Sequence, residues 1–200
     1  GQNGRAVDFS LPENSAASTV ERTITNAGDF QDAYLDDSRV MFVGNVVCSE
    51  IVAALDFVPF NGQVLSYFLA AAGVAGAFLD IAEKNHLSRD ICPVVRCVLG
   101  AAFKDCLPTP DFITFAYFPC DSGARMFYAL SDIYDCPWFL LDLPQRRGNS
   151  AAEYLAQRMK EMVTHVENSL GITSVPDRIA AAAEESKKAM RYYQKMITLS

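Results

Sequence analysis

The strongest constraint on the fold lies between residues 111 and 143, where an apolar run, a helical stretch and a second apolar run follow one another. Residues 111–118, DFITFAYF, form a nearly unbroken apolar and aromatic run. DSGARMFYALSDIY, 121–134, then carries helical spacing, and WFLLDL, 138–143, is apolar again. Continuous apolar runs are expected of strands covered on both faces. Strand, helix and strand at this spacing predict a βαβ unit, and hence a parallel sheet with helices on both faces. The expected fold class is α/β: a Rossmann-like parallel sheet flanked by helices, followed by a C-terminal helical pair.

The rest of the chain divides around that unit. Residues 1–38 are polar, with an amphipathic helix expected around 16–35, and read as a lead-in segment. Residues 39–148 read as the Rossmann-like domain and 149–200 as a helical extension. RVMFVG, 39–44, reads as a buried strand, SEIVAAL, 49–55, as a helix capped by Ser49, and FVPF as a second short strand. Residues 63–85 read as helical, with a break near Gly73 and Gly76. Pro93 suits a first helical turn, where its missing N–H would lack a partner anyway. The helix that follows contains VVRCVLGAAF. Gly171 is a good helix terminator and Pro176 a good opener.

Composition removes several function classes. The net charge is −7 with no basic run, which excludes nucleic acid as a partner because phosphate contacts need clustered Lys and Arg. Residues 57–79 carry no charge, but Pro59, Asn61, Gly62 and Gln63 leave too short an apolar remainder to span a membrane. Residues 1–40 show no secretory leader. Six cysteines without such a leader predict a reducing compartment, the cytoplasm. There is no GxGxxG, no P-loop and no GxSxG motif. The two histidines, His86 and His165, read as surface residues.

Chemistry therefore rests on the cysteines. Cys92 and Cys120 sit where helices begin, and Cys120 follows the clearest strand. Unpaired N–H groups and the helix dipole favour thiolate there, the form that binds metal. Ligands of open α/β sheets gather beyond the carboxyl ends of the strands. Cys48 follows the strand at 39–44, so Cys48, Cys92 and Cys120 could converge at that edge. Cys136 precedes a strand and belongs to the opposite edge, roughly 16 Å away at about 3.3 Å per residue. Cys106 lies far down the helix from Cys92, and Cys97 reads as a core thiol. No close Cys or His pair suggests zinc. Widely spaced thiolates at the tips of a sheet suit an iron–sulfur cluster better. Arg96 and Arg125, each one turn after a cysteine, could meet phosphate or carboxylate, and Glu50 beside Cys48 could transfer a proton.

Four segments in order carry a family resemblance: CSEIVAALDFVPF, DICPVVRCVLGA, LPTPDFITFAYFPCDSGARMF and CPWFLLDLP. Over roughly residues 40–200 the chain resembles the D-component family of 2-hydroxyacyl-CoA dehydratases and the related benzoyl-CoA reductase subunits. The resemblance implies an oxygen-sensitive enzyme of anaerobes. It implies two related subunits in a heterodimer, each holding a [4Fe–4S] cluster through three cysteines. It implies a separate ATP-hydrolysing activator that injects one electron, and a 2-hydroxyacyl-CoA substrate that loses water through a ketyl radical. Cys92 and Cys120 match the first two cluster ligands. The family's third cysteine comes from a second α/β half, so the resemblance implies that this chain is the N-terminal half of a longer protein or a shortened relative. Cys48 could then substitute as a third ligand. A benzoyl-CoA reductase-type subunit and a non-catalytic iron–sulfur or scaffold relative are the alternative readings.

Overall fold

The computed structural model describes residues 32–35, 37–44, 47, 49–145, 147–174 and 176–198. Cys48 and all but the end of the expected helix at 16–35 lie outside the described residues.

Four strands form one parallel sheet: β1 (Val40–Val43), β2 (Val58–Phe60), β3 (Phe112–Phe115) and β4 (Trp138–Leu140). Their spatial order is β2-β1-β3-β4. β1 pairs with β3 through Met41–Phe112, Phe42–Ile113 and Val43–Thr114, and β3 pairs with β4 through Ile113–Trp138 to Phe115–Leu140. Alternation along the strands explains two cores. Val40, Phe42, Phe60, Ile113 and Phe115 face one layer; Met41, Val43 and Phe112 face the other. β1 and β3 are covered on both faces, so each reads as a continuous apolar run.

Seven helices accompany the sheet among the described residues. They are α1 (Ser49–Ala54), α2 (Gly62–Ala71), α3 (Ala75–Lys84), α4 (Pro93–Phe103), α5 (Asp121–Tyr134), α6 (Asn149–Leu170) and α7 (Pro176–Thr198). α4 and α5 supply the first core. α1 and α6 supply the second, where Thr114 Oγ1 donates to Met162 Sδ at 3.3 Å. The break expected near Gly73 and Gly76 falls at Gly73, whose φ of +74° suits a residue without Cβ. α7 packs against α1, tied by an Arg178–Asp56 ion pair and by a hydrogen bond from Ser186 to Glu50. No helix among the described residues is long and apolar enough to cross a membrane.

Three sequence expectations change. The strand expected at 111–118 ends at Phe115, because its partners end at Val43 and Leu140. Beyond it the chain bends, and Phe118 is 60 % exposed. The strand at 138–143 is a three-residue edge strand, not one covered on both sides, so its Trp138 is exposed. Cys106 lies past the end of α4, which stops at Phe103.

Candidate functional site at the carboxyl edge of the sheet

Strand polarity decides which helix ends meet. β2 leads directly into α2 and β3 leads into α5, so the N-termini of both helices lie at the carboxyl edge. α4 returns the chain to the start of β3, and the connection behind it lies at the amino edge. There Asp111 accepts from Val40 N at 2.7 Å, and Tyr34 donates to the Cys106 carbonyl at 2.9 Å. The start of α4 therefore points towards the carboxyl edge. Cys92 and Cys120 are the N-cap residues of α4 and α5.

Each helix start has a local cause. Pro93 occupies the first turn of α4, leaving one donor fewer to satisfy. Asn61 caps α2, its Oδ1 accepting from Gln63 N at 3.0 Å and Val64 N at 3.1 Å. Cys120 caps α5 through its own sulfur, which accepts from Gly123 N at 3.3 Å. A sulfur in this position already uses a lone pair towards the helix start, and the residue is exposed. Cys92 is half-buried and its thiol makes no capping bond.

Two close approaches fix these helices. A Cβ on Gly62 would lie 2.9 Å from Val98 Cγ1, so the start of α2 sits on α4. A Cβ on Gly100 would lie 2.0 Å from the Phe78 carbonyl oxygen, so α4 crosses α3 at backbone contact. Arg96 completes the clamp. It is 8 % exposed, and its guanidinium donates from Nη1 to Glu83 Oε1 at 2.7 Å and from Nε to the Ile91 carbonyl at 3.1 Å.

The other sequence candidates fall as follows. Arg125 is exposed on α5, one turn after Cys120. Glu50 lies in the first turn of α1 and accepts from Ser186 of α7. Cys97 is buried in the core, where burial pushes its thiol up. Burial also pushes Cys136 up, to about 12, with Asp111 and Asp135 adding to the effect. His86 and His165 are exposed, as the sequence indicated.

Gln63 is the residue that the sequence did not single out. It is 9 % exposed, and its Nε2 lies 3.1 Å from the point where a Cβ on Gly123 would stand; Cys120 Sγ lies 3.7 Å from that same point.

An iron–sulfur cluster needs several thiolates around one centre. The described residues offer two thiols of the right kind at one edge. Among them, no group of three His, Cys, Asp or Glu side chains is arranged to hold a metal ion.

No curated protein matches the chain. The family described as 2-hydroxyglutaryl-CoA dehydratase, D-component, matches residues 45–200, which include β2 to β4, all seven helices and both helix-capping cysteines. The chain belongs to the 2-hydroxyglutaryl-CoA dehydratase D-component family, a component of a dehydratase that works together with other subunits.

Proposed function

We propose that the chain is the cluster-bearing part of a 2-hydroxyacyl-CoA dehydratase subunit, with Cys92 and Cys120 as two ligands of a [4Fe–4S] cluster. One observation carries this reading. In a member of the dehydratase family, two cysteines cap helices whose N-termini lie at the carboxyl edge of one parallel sheet. Helix starts stabilise the anionic sulfur that iron requires. Cys48, which follows β1 in sequence, is the third candidate ligand on this chain.

A bound cluster supplies single electrons, the chemistry needed to remove a hydroxyl group next to a thioester when no acidic proton assists. The chain's own residues hold the site. The Arg96 clamp sets the start of α4, and the exposed Tyr117 and Phe118 come shortly before Cys120 in the chain. Arg125, exposed beside Cys120, is the cation available to a phosphate of the CoA ester. The reading includes a related second subunit, an ATP-dependent activator as electron donor, and a cytoplasmic setting.

Iron and sulfide analysis of the full complex, purified without oxygen, tests the assignment. The wild type is expected to hold iron and sulfide with the electron paramagnetic signature of a reduced [4Fe–4S] cluster. Cys92→Ala and Cys120→Ala are each expected to lose most of that iron. Full iron retention in both variants overturns the ligand assignment.

A further inference from the structure

We infer that the free edge of β4 is a docking groove for an extended segment of the other subunit, one that carries a lysine or arginine, and that Arg158 latches this groove shut. The inference rests on the family's assembly with other subunits and not on the cluster.

Among the described residues, β4 is an outer strand paired only with β3. The Pro137 carbonyl accepts from Ile113 N at 3.0 Å, and Leu141 N donates to the Phe115 carbonyl at 2.7 Å. Successive residues of a strand turn their backbone groups to opposite sides, so those of Trp138 and Leu140 face outward. The Trp138 N–H, the Trp138 carbonyl and the Leu140 N–H have no partner among the described residues. A row of unpaired groups on an edge strand is a template for one more strand. Trp138 is 39 % exposed in the open groove beside this edge. Tryptophan is enriched among the side chains that anchor protein interfaces.

Arg158 of α6 closes the edge. Its Nη2 donates to the Leu140 carbonyl at 3.1 Å, the outward acceptor that a further strand would use. The guanidinium lies over the Phe139 ring at 4.9 Å and pairs with Glu161. Its Nε, however, is buried with no hydrogen-bond partner among the described residues. A buried donor without an acceptor is costly, so the closed position is poorly held. Swinging outward returns Nε to water and frees the Leu140 carbonyl for an N–H of the incoming segment. Charge selects that segment. Asp132 and Asp135 are exposed in the groove and form no ion pair among the described residues. Glu161 already answers Arg158. The groove is therefore acidic and suits a segment bearing Lys or Arg.

Residue-resolved hydrogen exchange tests the inference, comparing this chain alone with the complex assembled from both subunits. The amides of Phe139 and Leu141, bonded to β3, are expected to be slow in both. Those of Trp138 and Leu140 should exchange freely in the chain alone and about tenfold or more slowly in the complex. Equal exchange of these two amides in both samples overturns the docking groove, and leaves the cluster assignment untouched. Protection that grows with the concentration of the chain alone overturns the other subunit as occupant in favour of a second copy. The double variant Asp132→Lys, Asp135→Lys should assemble about tenfold more weakly at unchanged melting temperature. An unchanged Kd overturns the basic segment. Arg158→Met keeps the bulk over Phe139 but releases the Leu140 carbonyl, and should tighten assembly several-fold. Weaker assembly at unchanged melting temperature overturns the latch.

Discussion

Arg96 donates through Nε to the carbonyl of Ile91, the residue directly before Cys92, at 3.1 Å. The same guanidinium reaches Glu83 on α3 at 2.7 Å. One side chain therefore joins α3, the loop and the first turn of α4. Arg96→Met keeps the hydrocarbon bulk and removes every donor. It is expected to lower the melting temperature and raise the alkylation rate of Cys92 several-fold, leaving Cys97 protected. Arg96→Lys restores one donor at most, because ammonium cannot copy the planar fork, so it should rescue only part of the loss. Mass-spectrometric alkylation kinetics read both variants.

Glu83 also gives a pH dependence. Arg89 first, and then Arg96, hold its carboxyl below the ordinary value of 4.5. A carboxyl with a depressed folded pKa stabilises the fold above its unfolded pKa. That contribution is lost as pH falls through the folded value. The melting temperature is therefore expected to drop below about pH 4.5, and the acid-side drop should shrink in Arg89→Met. The pair between Arg89 and Glu83 is exposed, so added salt should shrink the effect too. Thermal melts in steps from pH 6 to pH 3 measure it.

Thiol reactivity should separate the cysteines by burial. Iodoacetamide at pH 8 is expected to label Cys120 first and Cys92 next, with Cys97 and Cys136 unlabelled until the chain unfolds. Cys136 carries an alkaline signature as well. Its thiol is held up at about 12 against an ordinary 9.0, so its stabilising effect is complete below about pH 9 and fades as pH rises from 9 towards 12. Cys136→Ala should flatten that alkaline limb of the stability curve.

Two glycines in neighbouring helices should respond oppositely to alanine. At Gly100 the new methyl would stand 2.0 Å from the Phe78 carbonyl oxygen, backbone that cannot turn aside. Overpacking of this kind costs about 1–3 kcal/mol or more, which outweighs the gain of up to ~1 kcal/mol from helix propensity. At Gly76 nothing lies within 4 Å, so the propensity gain stands and Gly76→Ala should stabilise by up to ~1 kcal/mol. Urea unfolding of both variants, compared at equal slope, decides the signs.

The fold was legible where a residue pattern has only one physical use. The apolar runs at 39–44 and 111–118 predicted buried strands, which form at Val40–Val43 and Phe112–Phe115, and Gly73, Pro93 and Gly171 marked helix boundaries. Strand lengths were less legible because they are set by pairing. Tyr117 and Phe118 look like strand residues, yet no neighbour extends far enough to pair with them. At the site, polarity and spacing brought Cys92 and Cys120 to helix starts at one edge and sent Cys106 and Cys136 elsewhere. The Arg96 clamp and the Gln63 approach were invisible. Both depend on how close α2, α3, α4 and α5 come, and that distance is written in Gly62, Gly100 and Gly123 only once the helices are docked.

The parallel pairing of β1 with β3 also sets an order of events during synthesis. Val40 and Asp111, joined at the start of the two strands, stand 71 positions apart in the chain. No tight turn can bring parallel strands together, so the central pairing waits until the later strand has left the ribosome, and such non-local closure is slow. α2 to α4 can form earlier from local contacts, presenting Cys92 alone. Cys120 joins it only after the sheet has closed. A centre that needs both thiols at their helix starts is therefore complete only once the sheet has closed.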